Sequence, residues 1–131
     1  MAFTVLGTGA AVTNTIAPKS NNTITAYAIG GDQNFASKVK PVRGWTYGRY
    51  KGKRAGDGIY WIQAALNCMY RNAVGFEALE VDGKYGPKTE AAVRMFQQWY
   101  KNNRNSNMSV DGVFGTQTYD AFAAMGYTAG R

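Results

Sequence analysis

The sequence predicts a mainly α fold, a three-helix bundle preceded by an extended, partly β N-terminal arm. Three observations predict it. A turn followed by a helix start is written twice, at Val81-Asp82-Gly83-Lys84-Tyr85-Gly86-Pro87-Lys88-Thr89 and at Val110-Asp111-Gly112-Val113-Phe114-Gly115-Thr116-Gln117-Thr118, twenty-nine positions apart. Apolar residues recur at helical spacing after each turn, and once more upstream of the first. The leading 56 residues have neither feature.

The arm comes first in the chain. Phe3 to Leu6 and Asn22 to Ile29 have the alternation and β-branched content of short strands. The rest is Thr, Asn, Gly and Ala, with too few large apolar side chains to build a core alone. Such a segment is expected to find its shape on a borrowed surface, such as a neighbour's sheet edge or the flank of another subunit. Eight basic residues stand against the single acid Asp32 in residues 1–56, whereas residues 57–131 hold seven of each sign. That asymmetry places a boundary near Ala55-Gly56, giving a basic arm (1–56) and a helical domain (57–131).

The first helix is expected over Asp57 to Asn72, with Ile59, Ile62, Leu66 and Met69 on a buried stripe and Gln63, Asn67 and Arg71 away from it. Ala73 to Glu80 links it to the first turn. In each turn the Asp accepts from backbone N–H groups just beyond it, and the following Gly tolerates a positive φ. Tyr85 or Phe114 then anchors the turn, and Gly86 or Gly115 sits at the helix N-cap. Pro87 suits a first helical position. Thr89 and Thr118 fall in the first turn, where a hydroxyl can satisfy an unpaired backbone group. Val93, Phe96 and Tyr100 form the buried face of the second helix, and the same shift carries Val93 onto Phe122 and Phe96 onto Met125 in the third. Asn102 to Asn107 is a polar connection that belongs outside any core.

Taken together, Ile59, Gln63 and Leu66 on a helix, the run Leu79 to Gln97, and the second Asp-Gly-x-x-Gly-x-x-Thr resemble the peptidoglycan-binding domain family, found beside catalytic domains in bacterial cell-wall hydrolases and phage endolysins. The resemblance covers about residues 57–131. The loop after Tyr100 is longer and richer in Asn than is usual there, and Thr116 stands where the first copy has Pro87. The resemblance implies a shallow groove that holds glycan or stem peptide without breaking a bond. Tyr85, Arg94, Gln98, Tyr119 and Trp61 are the ligand-binding candidates, being amphipathic or polar residues beside the buried stripes. Packing competes with ligand binding for Trp61 and Tyr85, and a pair with Glu90 competes for Arg94.

Composition narrows the function classes. The chain has no His, which removes the usual zinc peptidase, amidase and His-assisted nucleophile sites. Of its eight acids, Asp82 and Asp111 are assigned to turns, and Glu90 and Asp120 to first-turn positions. An enzyme is therefore not expected, nor is a cofactor or a metal. Cys68, the single cysteine, reads as a small buried hydrophobe. No run of about 20 apolar residues exists to cross a membrane, and the N-terminal residues lack the basic start of a secretory signal.

Lys38 to Arg54 carries seven cations, no acid, and Trp45, Tyr47 and Tyr50 interleaved. This stretch suits an acidic protein or wall surface, a solvated linker, or, behind those, nucleic acid. The combined expectation is a non-catalytic wall-binding protein, placed on a phage virion as a capsid or tail decoration whose arm docks on other virion proteins. The alternatives are a protein-interaction scaffold and the wall-targeting subunit of a separate hydrolase.

Overall fold

The computed structural model describes residues 16–21 and 31–131. They form three α-helices, α1 (Ile59–Met69), α2 (Pro87–Asn103) and α3 (Thr116–Ala124), with a 3-10 turn at Phe35–Ser37. Among the described residues there is no strand, only isolated bridges pairing Tyr47 with Lys53 and Phe114, and Ala55 with Lys84. The two strands expected in the arm, Phe3 to Leu6 and Asn22 to Ile29, lie outside the described residues.

Helix α1 is shorter than its periodicity suggests. It begins after Gly58 and stops before Asn72, whose φ of 61° is left-handed and cannot continue a right-handed helix. All of α1 except Tyr60 is buried. The expected division into an apolar stripe and an outward polar side is therefore corrected: Gln63 and Asn67 are each 1% exposed and Arg71 is 6% exposed. A helix enclosed on every side has no solvent face, so its polar residues must bond within the protein.

They do so in a repeated way. Gln63 donates from Nε2 to Asp82 Oδ1, Lys84 O and Thr89 Oγ1, and its Oε1 accepts from Gly83 N. On α2, Gln97 donates to Asp111 Oδ1, Val113 O and Thr118 Oγ1, and accepts from the amides of Asp111 and Gly112. Each Asp also accepts from the amide two residues on, closing the turn as expected. Gly83 and Gly112 take φ of 72° and 74°, a region costly for residues with a Cβ. The two threonines depart from expectation. Neither caps its helix; each hydroxyl faces a glutamine amide instead. Asn67 performs a parallel task, exchanging hydrogen bonds of 2.7 and 2.9 Å with the Leu79 backbone and so fixing the α1–α2 connection.

The apolar core gathers around Phe122. Its ring centroid lies 4.7 Å from Phe96, 5.0 Å from Phe114 and 6.0 Å from Trp61. Val93, Phe96, Phe122 and Met125 are all buried, so the twenty-nine-residue shift does carry core onto core.

Residues outside the three helices complete this core. Phe35 packs edge-on against Trp61 at 5.7 Å, and Tyr47 is buried against Phe114. Backbone bonds join Tyr47 to Phe114 in both directions, and Lys38 and Lys40 to Arg131. Described arm residues, expected to seek another protein's surface, thus lie on this chain's own bundle. A bundle whose last helix has nine residues leaves apolar surface at its flank, and Phe35 and Tyr47 cover it.

Replacing Gln97 with Ala is expected to destabilise the protein by about 3 kcal/mol, because it strands buried turn amides without acceptors. Denaturant titration should show a lower midpoint at unchanged slope.

Candidate functional site

Two hollows lie at the repeated turns themselves, along Asp82 to Thr89 and along Asp111 to Thr118, and the outer face of α2 carries the open surface that holds Arg94 and Gln98. Ala91 and Met95 form a ridge with a shallow groove on either side. One groove, of about 270 Å³, runs between Glu90, Arg94, Gln98 and Val110. The other, of about 150 Å³, is bordered by Phe76, Glu77, Leu79 and Lys88. The helix projects these residues outward because Val93, Phe96 and Gln97 occupy its inward side.

The five candidates read from the sequence separate in space. Arg94 and Gln98 share the larger groove. Arg94 is exposed and donates to the carbonyls of Val110 and Asp111, both at 3.3 Å, which leaves guanidinium donors facing outward. It does not pair with Glu90, which is engaged by Arg49 at 3.4 Å. Gln98 is partly exposed and donates to Asn102 Oδ1.

The other three lie elsewhere. Tyr85 is buried, and its hydroxyl donates to Gly112 O at 2.7 Å, tying the first turn to the second. Burial pushes its phenol pKa upward. Trp61 is buried between Phe35 and Phe122, with Nε1 donating to Ala129 O at 2.7 Å. Tyr119 is half-buried beside Phe114, with the Lys40 ammonium 5.8 Å from its ring centroid.

The neighbours that the sequence reading missed are Met95, which forms the ridge, and Phe76 across the second groove. The helical period carried a signal for Met95, since Ala91, Met95 and Gln98 share one face opposite the buried residues, whereas Phe76 lies in the α1–α2 connection, where no period applies.

Each of the eight acids lies in the described part, and six have an assigned partner. Asp82 and Asp111 hold turns, while Asp32, Glu77, Glu90 and Asp120 pair with Lys38, Lys88, Arg49 and Arg43. Asp120 lies beyond the first turn of α3, so the dipole role expected for it is replaced by a two-pronged bond to Arg43, both contacts at 2.8 Å. That bond holds its pKa below the usual value. For Asp82, burial works to raise the pKa, but hydrogen bonds from the Lys84 amide and Gln63 outweigh it and the net direction is down. Cys68 is buried, which raises its thiol pKa. No described helix is long and apolar enough to cross a membrane.

The duplicated turn-helix geometry is matched by a family. The peptidoglycan binding domain family matches residues 55–122, more than half of the chain, and the protein belongs to it. Comparison with curated proteins and with solved structures gives no match. Membership makes cell-wall binding the function that the fold indicates.

A carboxylate whose pKa is lowered on folding adds stability above its unfolded value and loses it as pH falls through the folded one. Asp32, Asp82 and Asp120 are all of this kind, against an ordinary value of 3.8. Thermal melts should therefore be flat from about pH 5 to 8 and fall below about pH 4. Asp82→Asn should show a shallower acid decline than the parent.

Proposed function

We propose that the protein holds peptidoglycan on the outer face of α2 and performs no chemistry on it. Membership of the peptidoglycan binding domain family is the observation that carries this reading. Arg94 supplies charge-assisted donors for a stem-peptide carboxylate, and Gln98 offers an amide for sugar hydroxyls or peptide groups. Met95, Ala91 and Phe76 give apolar surface between them. The committed carboxylates support binding without cleavage, since glycoside hydrolysis needs two acids flanking one bond, and turn or ion-pair roles already occupy most of those present.

The virion placement keeps less support. One of its motives was an arm unable to find a surface within its own chain, and residues 35–55 find one. The reading adopted is the wall-binding module itself.

Co-sedimentation with purified insoluble peptidoglycan tests it. The wild-type chain should be retained, and Arg94→Ala should weaken retention by about tenfold, as expected for a lost hydrogen bond to a charged group. Gln98→Ala should weaken it by roughly threefold, in line with a neutral bond. Melting temperatures of both variants should stay near wild type. Absence of wild-type retention would end the functional reading. Undiminished retention of both variants would move the site off α2.

A further inference from the structure

Residues 45–54 precede the matched family span and form a loop, closed by a parallel bridge between Tyr47 and Lys53, that leaves two aromatic side chains exposed. Its backbone is pinned. Gly48 N donates to Lys53 O, Lys53 N to Thr46 O, and Tyr47 exchanges bonds of 2.9 and 2.8 Å with Phe114. Tyr47 is buried at 1% exposure, with its hydroxyl accepting from Val42 N at 2.7 Å. By contrast, Trp45 and Tyr50 are 53% and 71% exposed, in a chain whose core takes most of its aromatic rings.

Cations accompany both rings. The Lys53 ammonium lies 5.9 Å from the Trp45 ring centroid, and the Arg49 guanidinium 4.7 Å from that of Tyr50. Arg43 and Arg49 are already neutralised by Asp120 and Glu90. Lys51, Lys53 and Arg54 have no acidic partner among the described residues. An ordered loop therefore presents two exposed aromatic faces and three uncompensated charges, without an ordering cost on binding.

The loop is also continuous with the α2 surface. Glu90, which borders the Arg94 groove, is the residue that Arg49 grips. A polymer lying in that groove would pass from Arg94 across Arg49 to Tyr50.

We propose that this loop is a second subsite, which takes a phosphodiester-bearing polymer attached to the wall. Aromatic faces meet the sugar or polyol units, and Lys51, Lys53 and Arg54 meet the phosphates. The proposal rests on the wall-binding reading of the module, and that reading selects wall polymer over nucleic acid for a surface whose chemistry would accept either.

The test is co-sedimentation of the full chain with Gram-positive walls that carry phosphodiester polymers, and with the same walls stripped of them by hydrofluoric acid. Wild type should bind intact walls about tenfold more tightly than stripped walls in low salt, with the difference largely screened at about 0.5 M. The triple variant Lys51→Gln/Lys53→Gln/Arg54→Gln and the double variant Trp45→Ala/Tyr50→Ala should each remove that difference and leave binding to stripped walls unchanged. The proposal is overturned if wild type does not prefer intact walls, if both variants keep the preference, or if a random single-stranded oligonucleotide binds more tightly than intact wall. Binding confined to intact walls would instead remove the α2 groove and leave the loop as the site.

Discussion

Two buried glutamines hold this structure in register. Gln63 and Gln97 each reach from a helix into an Asp-Gly turn and satisfy, with one side-chain amide, the turn's carbonyl, its aspartate, its amide hydrogens and the threonine of the next helix. Apolar packing alone could let a short helix slide by a fraction of a turn at little cost, because dispersion is nondirectional. A bidirectional amide cannot slide, because every bond in it has a fixed direction and burial makes each unmade bond costly. The position of α2 follows from Gln63, and that of α3 from Gln97. The α2 surface that includes Arg94 inherits its placement from both.

The connection between the two clamps is itself a side chain. Tyr85 anchors the first turn in the core and bonds to Gly112 in the second, so the turns are locked to each other as well as to their helices. Burial of such a residue is a reason to read it as scaffold. Its polar atom is already spent on a backbone carbonyl, and little of the ring reaches solvent. Trp61 follows the same logic through Ala129. Amphipathic residues near a suspected groove thus divide according to whether their polar end finds a partner inside or outside, a distinction that residue type cannot express.

Legibility in the sequence follows the same division. Turn geometry was readable at Asp82, Gly83, Asp111 and Gly112 because those residue types carry local conformational preferences. The helical faces of α2 and α3 were readable because each has one side to solvent. The clamps were not, for two reasons. A glutamine on a helix ordinarily signals the wet face, and α1 has none. The repeat also hides the pair: Gln63 precedes Asp82 by 19 positions, whereas Gln97 precedes Asp111 by 14, so a shift of twenty-nine does not superpose them. The longer α1–α2 connection, held by Asn67, accounts for the difference. Of the candidate site, Arg94, Met95 and Gln98 lie on the outward face that the helical period marks, while Phe76, in the α1–α2 connection, required the neighbouring elements to be in place.

Charge gave the opposite kind of difficulty. Along the chain all the acids but Asp32 fall after residue 56, leaving the cations before it unbalanced, which reads as two regions facing different partners. In space the two sets interleave. Arg43 reaches Asp120 and Arg49 reaches Glu90, across 77 and 41 positions of sequence, so part of the apparent imbalance is internal pairing between segments that fold together. The Arg43–Asp120 pair is exposed and contributes little to stability, while Arg49–Glu90 is partly buried. Their effect is to subtract from the surface field. What survives the subtraction is local, confined among the loop's cations to Lys51, Lys53 and Arg54, which stand beside Trp45 and Tyr50, two of the aromatic rings that the core leaves outside. A uniformly basic arm would attract any anion without orientation. A pinned loop with three residual charges at fixed positions relative to two flat faces can discriminate among polyanions by the spacing of charge and ring, and it is this spatial residue of the sequence asymmetry that bears on recognition.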